Sequence, residues 1–197
     1  MTVYDAHFRA ASRLFDGTEI LIRSVRPEDA PLLRAGFAGL SPRTRYLRFF
    51  AHKSELTDRE AVRFASPSSR EFAIGALGAP GTHVDGMGIG VARFSELEGD
   101  VHEAEAAVVV VDAFQGKGVG RRLVHLLAEA ARERGLERLR FTALVENVAM
   151  AGLLQKVFGR SSIRAVPDEG PTVHWIVDLE RAADRPGGER RSSPLSG

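Results

Sequence analysis

The chain has 197 residues, 44% of them hydrophobic, and a formal net charge of +1. That is enough for one domain with its own core, and the balanced charge gives no general attraction to nucleic acid or a membrane surface. There is no cysteine, which excludes disulfides, thiolate metal sites and cysteine nucleophiles. The longest purely apolar run, residues 106–111, is far short of the roughly 18 residues of a membrane helix. The N-terminal stretch is charged throughout and has no signal-peptide core, so a cytoplasmic protein is expected.

Residues 13–15 and 18–25 flank Asp16-Gly17, and Asp-Gly between extended apolar runs predicts a hairpin. Pro27 with Glu28 and Asp29 opens a helix whose apolar positions are Leu32, Leu33 and Phe37, with Gly39 as its stop. Ser41-Pro42 starts a second helix through Arg48. A third runs from Thr57 to about Phe64, with Asp58 and Glu60 in its first turn. Strands follow over 71–77 and 87–94, joined by a Gly- and Pro-rich loop. A third strand, 101–111, alternates at first and then becomes continuously apolar, which suits burial on both faces. Leu123, Leu126, Leu127, Ala130 and Ala131 share one face of a helix from about Gly118 to Arg134, and Gly135 suits its C-terminal end. The chain then reads as a strand over 138–144, a helix over 147–158 with Asn147 as N-cap, and a closing strand over 172–179. Residues 183–197 offer nothing to bury and are expected to be a disordered tail behind one domain, 1–182. This order predicts an α+β fold around a mixed sheet rather than a doubly wound parallel one.

The segment richest in chemistry is the buried strand that ends in Val109, Val110 and Val111, the turn Gln115-Gly116-Lys117-Gly118-Val119-Gly120, and the helix beginning with Arg121 and Arg122. The first N–H groups of a helix have no internal partner and carry partial positive charge. Glycines let a pyrophosphate approach that backbone, and the two arginines add formal charge. A dinucleotide fingerprint fails here, because Gly116-x-Gly118 is followed three positions on by Arg121. A P-loop fails because Lys117 is followed by Gly118 rather than Ser or Thr.

The segment Gln115–Gly120 resembles the Q/R-x-x-G-x-G/A signature of the GNAT N-acetyltransferases, and its context agrees: a Val-rich strand before it, then helix, strand, and Asn147 opening a second helix. The N-terminal half narrows the likeness. The stretches 15–30 and 40–50 look like the Pat-type bacterial protein lysine acetyltransferases and their single-domain relatives. The resemblance implies a mixed sheet with helices on both faces. It also implies acetyl-CoA as cosubstrate, its pantetheine arm along Val109–Val111 and its pyrophosphate on Gln115, Gly116, Lys117, Gly118, Val119, Gly120, Arg121 and Arg122. Asn147 would contact the cosubstrate or shape its site. A backbone N–H in the Val109–Val111 stretch would stabilise the oxyanion.

Acyl transfer to an amine needs the amine neutral, and a lysine amine is protonated at pH 7. A buried carboxylate can take that proton directly or through water. Glu105, ten residues before Gln115, stands where the resemblance places a general base, with Glu103 as runner-up. Many family members have a Tyr seven residues after the Asn, as general acid; here that position is Leu154, which leaves the acid unassigned.

The acceptor is thus expected to be a primary amine, a small molecule or a protein lysine. A catalytically silent acetyl-CoA sensor is the alternative from another class. The six histidines show no ligand spacing, so no metal is expected; His102 and His174 fall on strands that could line the acceptor cleft. Arg43, Arg45 and Arg48 read as a solvated helix face and Trp175 as core. Monomer and homodimer both remain open.

Overall fold

The computed structural model describes residues 3–168 and 170–183. All its strands join one eight-stranded sheet. β1 (Arg9–Arg13), β2 (Glu19–Ser24), β3 (Glu71–Gly78), β4 (Gly88–Leu97) and β5 (Asp100–Val110) form an antiparallel succession. α4 (Val119–Glu133) then crosses over to β6 (Arg138–Leu144), which lies parallel to β5. After α5 (Val148–Phe158), the hairpin of β7 (Ile163–Pro167) and β8 (Thr172–Asp178) closes the sheet, with β8 beside β6 and β7 at the edge. Between β2 and β3 lie α1 (Ala30–Ala38), α2 (Pro42–Phe49) and α3 (Asp58–Ala65), and α6 (Leu179–Ala183) follows β8.

Side-chain alternation assigns the two faces of β5. Ala104, Ala106 and Val108 are buried with Leu123, Leu127 and Leu154 of α4 and α5 in the main core. Val109 and Val111 point the other way and pack with Phe37, Leu40 and Phe49 of the α1–α2 side. Helices therefore cover both faces, and Glu103 and Glu105, four and two residues before Ala107 on the odd-numbered face, share the side of α1–α3.

The helices begin where local chemistry predicts. Ser41 accepts from Thr44 N, with Pro42 at the first helical position of α2. Thr57 and Glu60 form a reciprocal capping box at α3, an arrangement whose loss costs about 1 kcal/mol. The helix expected from Pro27 begins as a 3-10 turn, Pro27–Asp29, before α1. Two elements had no counterpart in the sequence reading: the short edge strand β7 and the one-turn α6. The tail expected over 183–197 lies outside the described residues except for Ala183, which ends α6.

Candidate active site

β5 and β6 pair only where Glu103–Ala106 face Arg138–Phe141. Beyond that, β6 continues beside β8 and β5 beside β4, so the two parallel strands part. Val111 N donates to Ile89 O at 2.9 Å, and Val109 is in register with Val91. In an antiparallel ladder residues alternate in the side to which they bond. Val109 and Val111 therefore point their amides at β4, while Val108 and Val110 point theirs into the gap. Of the three valines expected along the pantetheine arm, Val110 alone turns its N–H to the gap, and Val108, outside that expected stretch, does the same.

The gap leads to the glycine turn. Gly116 and Gly118 have φ of +74° and +96°, the left-handed region that glycine enters without steric cost. Gly118 is the N-cap of α4 and no side chain caps the helix, so the amides of Val119, Gly120 and Arg121 keep the orphan donors of a helix start. A Cβ on Gly118 would stand 3.0 Å from the Phe15 ring, and Phe15 N donates to Lys117 O at 3.1 Å, so the first hairpin buttresses the turn. At Gly120 a Cβ would meet Leu153 at 3.4 Å, which explains the close approach of α4 to α5.

The side chains of this segment divide the work. Gln115 Nε2 donates to Val110 O and Asp112 Oδ1, both at 3.1 Å, and so braces the turn rather than projecting from it. Asp112 also accepts from Ser41 N at 3.1 Å, tying the turn to the start of α2. Burial pushes the Asp112 carboxyl up, but the hydrogen bonds from Ser41 and Thr44 outweigh it and hold the carboxyl below its ordinary value. Lys117 Nζ is 3.0 Å from Asp16, so its charge is answered within the protein. Arg121 is exposed and Arg122 half-buried on the first turn of α4. Asn147 caps α5, its Oδ1 accepting from Met150 N at 3.1 Å.

At the fork of β5 and β6 the two candidate carboxylates differ. Glu103 is buried, and Arg138 Nε and Arg140 Nε donate to its two oxygens at 3.0 and 2.7 Å. It is a structural ion pair. Glu105 is half-buried and accepts from Thr142 Oγ1 at 2.7 Å. That hydroxyl is also 3.0 Å from His174 Nδ1, and His174 Nε2 is 3.3 Å from Asp168. A chain of four polar groups thus runs from Glu105 to the surface beside β8. Of the two strand histidines, His174 joins this chain of groups, and His102 is exposed and faces Glu137. Trp175 is half-buried against the main core.

The α2 arginines are not the solvated face that their spacing suggested. Arg43 is exposed. Arg45 Nη1 donates to Ser54 O at 2.6 Å, and its guanidinium lies 4.5 Å from the Phe37 ring centroid. Arg48 turns inward to a cavity between α1, α3 and the sheet. Leu154 is 0% exposed, a core side chain with no polar role. Among the described residues no three His, Asp or Glu gather as a metal site, and no helix is long and apolar enough to cross a membrane.

Parallel strands that part beside an uncapped, glycine-led helix N-terminus, with a carboxylate at the fork, define a class of acyl-transfer fold. The model of the acetyltransferase (GNAT) domain matches residues 19–157, and the chain belongs to that family of acyltransferases. It is 30% identical over 145 residues to an acetyltransferase of Pseudomonas aeruginosa, covering 71% of this chain and 74% of the relative. Among solved structures, the GNAT domain of the Streptomyces lividans PAT protein superposes with a TM-score of 0.78 at 26% identity, covering 89% of this chain and 99% of that one. An acetyltransferase of Salmonella typhimurium, solved with acetyl-CoA, superposes at 0.62 with 16% identity, covering 90% and 99%.

Proposed function

We propose that the protein transfers acetyl from acetyl-CoA to a primary amine by direct attack, with Glu105 as the general base. The observation that carries this reading is the continuity of one track: the open edge of β5 at Val108 and Val110, the uncapped amides of Val119–Arg121, and Glu105 at the inner end. The donor set suits the ligand, because a pyrophosphate matches orphan helix amides with arginines beside them, and a pantetheine amide can pair with a free strand edge. Val110, its carbonyl held by Gln115, leaves its N–H to stabilise negative charge on the attacked carbonyl oxygen.

Glu105 accepts the amine proton, and Thr142 and His174 give that proton a route outward. Glu103, saturated by two arginines, does not serve. With Leu154 buried, water is the proton source for the departing thiolate. The likeness to Pat-type enzymes supports a lysine side chain as acceptor. The mostly apolar cleft beneath α1 supports a small-molecule amine.

Release of CoA from acetyl-CoA, measured over a panel of amines, tests the reading. Turnover that falls about 100-fold or more in Glu105→Gln, within the usual contribution of a general base, is the expected result. Unchanged turnover at saturating amine removes Glu105 from that role. Tight acetyl-CoA binding without turnover for any amine establishes the sensor alternative instead.

A further inference from the structure

The cavity under α1 and α3 holds two guanidinium groups that the protein does not fully answer. It offers about 100 Å³ of free volume, and its wall is mostly apolar, with Leu33, Phe37, Phe64, Val91 and Val109 prominent. Arg48 of α2 and Arg93 of β4 enter it. Arg48 has no ion pair or hydrogen-bonded side-chain partner among the described residues; its guanidinium lies 5.1 Å from the Phe49 ring centroid. Arg93 donates through Nη2 to Glu71 at 2.8 Å, but its Nη1 is buried without a partner. Glu71 is shared with Arg63, so one carboxylate answers two guanidiniums. Asp29, also on the wall, is engaged by Arg23 at 2.7 Å. Burial and the nearby Arg93 pull the Arg48 pKa down to about 10, against the pull of Glu105. Two like charges that feel each other in an apolar enclosure, one with an orphaned N–H, are arranged for a bound anion.

The register places Arg93 beside the base, and Arg48 feels the charge of Glu105 from α2. Arg93 is the cross-strand partner of Ala107, and Glu105 that of Ser95. Arg93 and Glu105 are therefore diagonal neighbours on one face, about 7–8 Å apart along the sheet. A carboxylate on the arginines sets an amine two bonds away toward Glu105. We propose that Arg48 and Arg93 form a carboxylate subsite, and that the acceptor is an apolar α-amino acid whose side chain fills the cavity. This rests on the acetyl-transfer reading above. A protein lysine would instead bring its cation into an enclosure that already has positive charge in excess. In the step, the α-nitrogen bonds to the acetyl carbon, the carbon–sulfur bond breaks, the thiolate of CoA leaves, and the nitrogen's proton goes to Glu105. The carboxylate is unchanged.

The test compares leucine, leucinamide and 3-methylbutylamine as acceptors for the full chain, with CoA release as one readout and calorimetric binding to the CoA-loaded protein as the other. Leucine is expected to exceed both analogues about tenfold or more in kcat/KM, the scale of one charge-assisted hydrogen bond, although the amide's amine is the more readily deprotonated. Arg48→Gln is expected to erase that preference by raising KM for leucine, with acetyl-CoA binding reporting that the variant is folded. Leucine bound tighter than leucinamide with neither acetylated would uphold the subsite and refute acetyl transfer. Equal use of leucine and leucinamide, faster turnover of a lysine peptide, or a preference for succinyl-CoA over acetyl-CoA would overturn the subsite and leave acyl transfer standing.

Discussion

Thr142 Oγ1 donates to Glu105 at 2.7 Å while standing 3.0 Å from His174 Nδ1. One hydroxyl thus touches both the carboxylate at the strand fork and an imidazole whose far nitrogen faces Asp168. A hydroxyl can pass a proton by accepting one and releasing its own. When Glu105 is protonated, its O–H can donate to Thr142 Oγ1 and the threonine's proton can move to His174 Nδ1. Thr142→Val removes that route but keeps the shape of the side chain. It is expected to lower kcat about tenfold with KM for acetyl-CoA unchanged, and Thr142→Ser is expected to restore it. Steady-state kinetics of the two variants decide the matter. Full turnover in the valine variant would show that Glu105 exchanges its proton with water alone.

The glycine turn makes its own claim. Gly118→Ala puts a Cβ at φ +96° and 3.0 Å from the Phe15 ring. Phe15 is 73% exposed and can swing away, so the backbone strain remains as the main cost, about 1–2 kcal/mol. Because the strain falls on the amides proposed to hold the pyrophosphate, the expected result is a CoA Kd raised about 5- to 30-fold by calorimetry. Gly152→Ala is the contrast. Its Cβ would meet nothing within 4 Å inside α5, so it is expected to raise Tm, by about 0.5–1 kcal/mol of helix stability, with CoA affinity unchanged.

Much of this architecture was legible because its signals are local. β6 has the bounds the sequence predicted, α4 buries the face its periodicity predicted, Ser41 and Thr57 stand at the helix starts expected there, and Asn147 caps the helix it was expected to cap. β7 was missed because Ala165-Val166 breaks its alternation, Pro167 ends it, and only one neighbour, β8, holds it at the sheet edge. The choice between Glu103 and Glu105 depends on parallel register: Glu103 lies opposite Arg138 and Glu105 opposite Arg140, and both arginines turn to Glu103. No spacing within β5 contains that information. Arg48 was misread for a related reason. α2 has no fully buried residue, so nothing in its own pattern reveals which arginine faces the cavity.

Asp112 joins the two halves of the candidate site, since it holds both Gln115 of the turn and Ser41 at the start of α2. Asp112→Ala leaves the Ser41 N–H and the Gln115 amide without that acceptor, a loss of about 1–3 kcal/mol. Because α2 carries Arg48 and the turn carries the helix amides, the expected result is a rise in KM for both acetyl-CoA and acceptor. A change in only one KM, measured with the other substrate saturating, would show that the two halves are positioned independently.

Glu71 makes the acid stability of the protein specific to one group. Its side chain is 5% exposed and receives Arg63 and Arg93. The Arg63 hydrogen bond is foremost in holding its carboxyl at about 2 rather than 4.5; burial opposes it, while Ser68 and Arg93 assist. A folded-state value below the unfolded one means that the unfolded chain binds the proton more readily. The stabilisation is therefore fully present above about pH 4.5 and is lost as pH falls toward 2. Its size is roughly 2–3 kcal/mol, or about 5–10 °C in Tm for a chain of this length. Glu71→Gln is expected to lower Tm by that amount at pH 7 and to flatten the fall of Tm between pH 4.5 and 2, so that the two proteins converge at the acid end. Parallel Tm curves for the two proteins across that range would show that the charge on Glu71 contributes nothing, and that its place between Arg63 and Arg93 is a matter of shape alone.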